Sequence, residues 1–332
     1  MHQQFFPKVL RTVQTRNCSP QLCLSKITGG VAAKSTVASP THLIVRASTI
    51  RWNSSIPRSD ATYKGSRIDF RPKRIILLRH GESDGNIDEA AYVDTADWCI
   101  NLTAKGKQQA QDAGKRIRDV VGEDGKLVFY FSPYERTRQT LDTITNYVQE
   151  ESIISIREEP RISEQQFGNF QNVQEVINAK SERHRFGRFY YRFPSGEAGL
   201  DVYSRVSSFI STLVRDCHQY KHNNYDLENM NVVIITHGLT LRLFLMRWFQ
   251  FSVKEFEQSE NPGNAELTIL NKKTSSDGQH KWYELEQDAR KALNLPDSCG
   301  IPKNVLLHSL SDRYEEDEEA LRITGSGDKW HF

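Results

Sequence analysis

The chain lacks any C-x-x-C pair: its five cysteines, Cys18, Cys23, Cys99, Cys217 and Cys299, are scattered through 332 residues. Such spacing makes neither a zinc ribbon nor a disulfide framework, so the thiols read as free groups of a reducing compartment. It also lacks an apolar run of the ~18–20 residues needed to span a bilayer. The nearest approach, residues 239–251, is interrupted by Arg242 and Arg247, so an integral membrane protein is not expected. Acidic residues are absent from positions 1–59, which carry Lys8, Arg11, Arg16, Lys26, Lys34, Arg46, Arg51 and Arg58. Removing those eight leaves 36 basic against 42 acidic residues from Asp60 onward, a net of −6. A nucleic-acid binder needs the opposite balance, so nucleic acid is not expected as a partner.

A Ser- and Thr-rich head without acids, with scattered Arg, has the composition of an organellar transit peptide. Phe5, Phe6, Leu10 and Val13 stand against Lys8, Arg11 and Arg16, the pattern of a short basic amphipathic helix. A secretory signal fits worse, because no apolar core of ~7–15 residues follows the N-terminus. Arg51-Trp52-Asn53-Ser54-Ser55 suits mitochondrial processing and Val45-Arg46-Ala47-Ser48 plastid processing. The expected address is an organelle, the mitochondrion ahead of the chloroplast. The alternative is a cytoplasmic protein with a disordered tail in front. Residues 1–65 are therefore set aside as head, and 66–300 are expected to form one domain. Residues 301–332, with Glu315-Glu316-Asp317-Glu318-Glu319, read as a weakly patterned tail.

Within the body, residues 74–78 (R-I-I-L-L), 127–131 (L-V-F-Y-F), 153–157 and 231–235 (N-V-V-I-I) are short β-branched or aromatic runs that suit buried strands. Helical patterns lie between them. Val202, Val206, Phe209, Ile210, Leu213 and Val214 share one helix face, as do Leu241, Phe244, Leu245 and Trp248. Residues 265–270 and 281–285 read as two further strands, antiparallel at the edge. This alternation predicts an α/β fold, a three-layer α/β/α sandwich around a mostly parallel mixed sheet of about six strands. The basic–aromatic stretch 183–193 reads as an amphipathic helix with Phe186, Phe189 and Tyr190 in the core, and Arg188 and Arg192 as candidates for substrate contact.

In an open α/β sheet, ligands bind beyond the carboxyl ends of the strands. The first strand runs into Arg79-His80-Gly81-Glu82-Ser83, and the 231–235 strand into Thr236-His237-Gly238. Each gives a His directly after a buried strand, then a Gly that lets backbone and ligand come close. The second strand ends in Ser132-Pro133-Tyr134-Glu135-Arg136. Ser132 as N-cap, Pro133 at the first helical position and Glu135 in a capping box predict a helix start there. Arg136 then falls in the first turn, where free N–H groups and the dipole favour anions. Two Arg, two His and helix N-termini fit a dianionic group, with phosphate the obvious candidate. A neutral imidazole can serve as nucleophile. Spacing alone leaves Arg136 and Arg138 both open, and likewise Glu158, Glu159 and Glu164.

These residues in this order, with Asn86, with Leu102-Thr103 and Gly106, and with Gln109-Ala110, resemble the histidine phosphatase (phosphoglycerate mutase-like) superfamily over roughly residues 72–270. Residues 164–171 (E-Q-Q-F-G-N-F-Q) and 189–206 are similar to its plant and fungal phosphoglycerate mutase-like group, which includes broad-range acid phosphatases. The resemblance selects Arg136 and Glu164. It implies that His80 becomes a phosphohistidine while Arg79, Arg136 and His237 neutralise the phosphoryl oxygens. Asn86 would hydrogen-bond the same group, with Ser83 and Gly238 completing the phosphate-binding set. Glu164 would give a proton to the leaving oxygen and then take one from water. The expected substrate is a small phosphorylated metabolite. Neither metal nor cofactor is expected, because phosphoryl transfer depends on positioning and charge stabilisation. Ala198 departs from the group's G-E-S-x-x-D pattern, where Ser would stand. A phosphoglycerate mutase and a non-catalytic phosphate-binding regulator are the rival readings. The first loses ground because no Glu-Arg-His-Tyr-Gly pattern accompanies Glu164, the second because the chemical residues are all present.

Overall fold

The computed structural model describes residues 69–169, 172–276 and 281–295. The head, the tail and the expected processing sites lie outside the described residues. Along the chain run β1 (Arg74–Arg79), α1 (Asp84–Ile87), α2 (Ala91–Asp94), α3 (Ala104–Val121), β2 (Lys126–Phe131) and α4 (Glu135–Thr145). Then come β3 (Ile153–Glu158), α5 (Val173–Phe186), α6 (Gly199–His222), β4 (Met230–Thr236) and α7 (Gly238–Phe249). The sequence closes with α8 (Val253–Gln258), β5 (Leu267–Thr274), β6 (Lys281–Leu285) and α9 (Gln287–Ala292).

The sheet order is β3-β2-β4-β1-β5-β6. The four strands from β3 to β1 pair in parallel, and β5 and β6 add antiparallel at the far side. Alternation along the strands divides the core in two, because successive side chains leave a strand on opposite faces. Ile75, Leu77, Val128, Val232 and Ile234 pack on one face with Val202, Val206, Phe209 and Leu213 of α6 and with Leu241 and Phe244 of α7. Ile76, Leu78, Phe129, Val233 and Ile235 pack on the other with Ile117 of α3 and Leu141 and Ile144 of α4. Each such side chain contributes roughly 1.5–3 kcal/mol on burial. The expected three-layer α/β fold with six strands is what forms.

Two expectations fail locally. The 153–157 run is an edge strand, not a buried one, and leaves Ile156 46% exposed, because nothing pairs beyond it. The 183–193 stretch is not one helix: α5 stops at Phe186, and Gly187 takes φ +89, which an L side chain rarely adopts. The chain then turns Phe189 inward onto Phe256, leaving Phe186 and Tyr190 exposed.

Candidate active site

Because β1 and β4 are parallel neighbours, both chains leave the sheet at the same rim. The His80 N–H donates to Thr236 O at 3.0 Å, and the rings of His80 and His237 stand with centroids 5.2 Å apart. Both are buried. His80 Nδ1 lies 2.7 Å from Gly81 O. A carbonyl only accepts, so Nδ1 carries the proton and Nε2 keeps its lone pair. Burial, reinforced by Arg136 and Arg79, holds the His80 pKa well below the ordinary imidazole value, so the ring is neutral. His237 shares a hydrogen bond with Ser132 Oγ through Nε2 at 2.8 Å. Its buried Nδ1 has no hydrogen-bond partner, and Glu164 Oε2 stands 3.9 Å away. Burial depresses this imidazole too, with Arg136 and His80 adding to the effect.

Arg136 is the second residue of α4, buried, with its guanidinium 4.8 Å over the Tyr134 ring. Its Nη1 donates to Asp97 O at 2.6 Å and to Asp97 Oδ1 at 2.9 Å. Arg79 donates from Nη1 to Pro262 O at 3.1 Å, while its buried Nε has no partner. Burial lowers the Arg79 pKa, against the pull of Glu164. The loop after β1 is pressed onto the start of α3: a Cβ on Gly81 would stand 2.4 Å from Gly106 O. The Gly81 N–H donates to Thr140 Oγ1 at 3.1 Å and that of Glu82 to Gln109 Oε1 at 2.8 Å. The Glu82 carboxylate faces away from the histidines in its bonds, to Lys105 at 2.7 Å and Thr103 Oγ1 at 3.1 Å. Asn86 Oδ1 accepts from the Ser83 N–H and from Asn264 Nδ2, each at 3.1 Å, and Asn264 Nδ2 also reaches His80 O at 3.1 Å. Gly238 opens α7, where a Cβ would meet Asn261 at 2.8 Å.

Glu164 sits on the loop after β3, and that loop is strapped in place. Arg205 of α6 donates from Nη1 to Arg161 O and Ser163 O, both at 2.8 Å, and from Nη2 to Glu164 O at 2.9 Å. Its remaining bonds go to the Glu197 carboxylate. Thr236 and Thr240 hydroxyls hold Ile162 O and Ser163 O at 2.6 and 2.8 Å. Burial pushes the Glu164 carboxyl above its ordinary pKa, although Arg136 and the Gln165 N–H, 3.0 Å from Oε1, oppose the shift. The competing candidates have other partners: Glu158 pairs with Arg138 and Glu159 with Arg161.

The structure thus brings His80, Arg79, Arg136, Glu164 and His237 together, and places Ser83 and Asn86 as braces of the loop after His80. The expected helix start is corrected. α4 begins at Glu135 with Tyr134 as N-cap; the Ser132 hydroxyl bonds His237 at 2.8 Å and accepts from the Tyr134 N–H only at 3.4 Å. Arg192 pairs with Asp201 at 2.6 Å, and Arg188 donates from Nη1 to Ser259 O at 3.4 Å and from its backbone N–H to Glu257 Oε2 at 2.9 Å. Ala198 is the N-cap of α6, so the missing Ser falls on a helix end. Sequence reasoning passed over Asp97, Tyr134 and Arg205. Arg205 left one signal: it lies between Val202 and Phe209 on a helix whose apolar face is buried. Among the described residues, no group of three or more His, Cys, Asp or Glu stands ready to share a metal ion, and no helix is long and apolar enough to cross a membrane.

Residues 75–284, which include this rim with its two buried imidazoles and two guanidiniums, match the histidine phosphatase superfamily (branch 1), and the chain belongs to that family. It is 47% identical over 265 residues to the phosphoglycerate mutase-like protein AT74H of Arabidopsis thaliana, covering 77% of this chain and 90% of that one. It is 28% identical over 306 residues to the broad-range acid phosphatase DET1 of Saccharomyces cerevisiae, covering 66% and 91%. In fold it is similar to a mycobacterial glucosyl-3-phosphoglycerate phosphatase, with a TM-score of 0.50 at 21% identity over 64% of this chain and 97% of the other.

Proposed function

We propose that the protein hydrolyses small phosphomonoesters through a phosphohistidine on His80, without recruiting a metal ion. The observation that carries this reading is the His80 ring: its proton is held by Gly81 O, and its lone pair is free on the face shared with His237 and two arginines. Nε2 attacks phosphorus in line as the ester P–O bond breaks. Charge on the equatorial oxygens is met by Arg79, whose Nε has a donor to spare, by Arg136 and by His237. With the Ser132 hydroxyl donating to Nε2, the His237 proton sits on Nδ1, which has no acceptor of its own. Glu164, whose carboxyl burial pushes above its ordinary pKa, in its protonated form gives the proton to the leaving oxygen. As a carboxylate it then takes a proton from the water that breaks the P–N bond and releases phosphate. Dividing the transfer in two at His80 lowers the barrier of each half, and preorganised donors stabilise both transition states. The yeast relative's name, a broad-range acid phosphatase, supports the same reading.

The test is chemical trapping. Protein quenched during turnover of a phosphorus-labelled aryl phosphate should carry label that is stable to alkali and lost in acid. His80→Ala should carry none and turn over nothing. Turnover at the wild-type rate by His80→Ala would overturn the reading.

A further inference from the structure

We propose that the cleft beside the phosphate site receives an uncharged, ring-bearing end of the phosphomonoester, with Trp98 as the surface on which the ring stacks. The inference rests on the phosphatase reading and narrows its substrate class. The cleft encloses 530 Å³ and adjoins the site through two of its lining residues: Tyr134 and Asp97 both touch Arg136, and the Tyr134 ring stands 5.0 Å from that of His237. That volume suits one or two rings. Its walls are Tyr92, Trp98, Tyr134 and Phe167, with Val176 behind. Tyr92 and Phe167 brace each other edge to face at 6.1 Å, and Gly85 leaves room for the Tyr92 ring, since a Cβ there would stand 2.7 Å from it. Trp98, by contrast, is 60% exposed at the lip, a large indole face that none of the described residues covers. Aromatic faces in such a setting favour a flat partner.

Charge argues in the same direction. The cleft's lining holds two charged side chains among the described residues, and each already has its counter-ion: Lys180 pairs with Glu89, and Asp97 with Arg136. A second phosphate or a carboxylate would have to part Lys180 from Glu89 or lie against Asp97, losing hydration without gaining a cation. The remaining polar side chains, Thr95, Gln166, Asn169 and Ser195 with the hydroxyls of Tyr92 and Tyr134, are neutral hydrogen-bonders. Phosphorylated hydroxy acids and bisphosphates, the substrates a mutase would need, are thereby disfavoured.

The test compares 2-phenylethyl phosphate with 3-phosphoglycerate, both esters of alkyl alcohols, so that leaving-group basicity does not decide the result. We expect kcat/KM at least about tenfold higher for the phenylethyl ester, and Trp98→Ala to raise its KM by about tenfold with kcat unchanged. The KM of glycerol 1-phosphate should not move, and a substitution at so exposed a position leaves folding intact. An equal or reversed substrate order, or an unchanged KM in Trp98→Ala, overturns the inference. If the wild-type protein hydrolyses none of these esters, the phosphatase reading fails separately. Calorimetric titration of the wild-type protein then decides this one: tighter binding of 2-phenylethyl phosphate upholds it, and tighter binding of 3-phosphoglycerate overturns it.

Discussion

Arg136 at the rim and Arg242 inside α7 are equally sealed from solvent, at 2% and 3% exposure. Arg242 donates from Nε to Ser259 Oγ at 2.9 Å, from Nη1 to Asn261 Oδ1 at 3.3 Å and from Nη2 to Phe256 O at 2.8 Å, and it lies over the Phe256 ring. Arg205 is likewise saturated by carbonyls and Glu197. At the rim the pattern reverses. Arg79 keeps a buried Nε without an acceptor, and Arg136 donates through Nη1 to a single residue, Asp97. Burial is the same in both regions, but hydrogen-bond supply is not. A guanidinium whose donors are met by the protein ties loops together, whereas one left short is stabilised only when an oxyanion arrives.

That contrast is broken most directly by exchanging the two roles. Arg136→Ala should lower kcat by about 10²–10³-fold, as loss of a preorganised oxyanion donor does, alongside a loss of stability because Asp97 is left without its counter-ion. A kcat within twofold of wild type would place Arg136 among the structural arginines. Glu164→Gln comes next, costing on the order of 10²-fold on alkyl phosphates and far less on aryl phosphates, whose leaving groups need no proton. The raised carboxyl pKa sets the high-pH limb of the wild-type profile: activity falls as pH rises through it, and Glu164→Gln should lose that limb. The stability sign follows from the same shift. A carboxyl raised on folding stabilises the fold below its ordinary range and ceases to do so as pH rises through the folded value. Thermal melts should therefore show Glu164→Gln above wild type near neutrality and level with it in acid. A variant melting below wild type at neutral pH would mean the carboxylate is held charged. Arg242→Met is the structural counterpart and has a smaller effect: about 1–3 kcal/mol of stability lost with kcat preserved, because Ser259, Asn261 and Phe256 O lose their partner.

The strand-end histidines were legible because two buried β-branched runs stop at His-Gly, and a period of two places them without tertiary information. Arg136 and Glu164 were not legible from spacing. The choice falls on them because Arg138 and Glu158 meet each other at the surface across 20 residues, and Glu159 is taken up by Arg161 two residues on. Ser132 misled for the same reason. The capping rule reads two or three residues ahead, while the hydroxyl's shorter bond, at 2.8 Å against 3.4 Å to the Tyr134 N–H, goes to His237, 105 residues away. Arg205 left only its place between Val202 and Phe209 as a signal, since an arginine in a helix ordinarily faces water. Only the fold shows its donors turned onto the Glu164 loop. Within the 183–193 stretch, residues 187–193 do not continue the helix because the effect of Gly187 is a dihedral angle, not a hydropathy.

The mildest expected change tests the saturated side of the contrast at α6. Ala198 is the N-cap, and Asp201 at N3 already accepts from the Ala198 N–H at 2.8 Å. Half of a capping box is in place; the half that needs a hydroxyl at 198 is missing. Ala198→Ser would let the new oxygen accept from the Asp201 N–H, stabilising the helix by about 1 kcal/mol. Position 198 is buried, so the serine oxygen must make that bond or cost stability in its place. A raised melting temperature with unchanged kinetics would confirm that the departure from the G-E-S-x-x-D pattern touches a helix end alone. A change in KM at constant stability would instead tie this turn to the substrate, through Glu197 and the Arg205 clamp beside it.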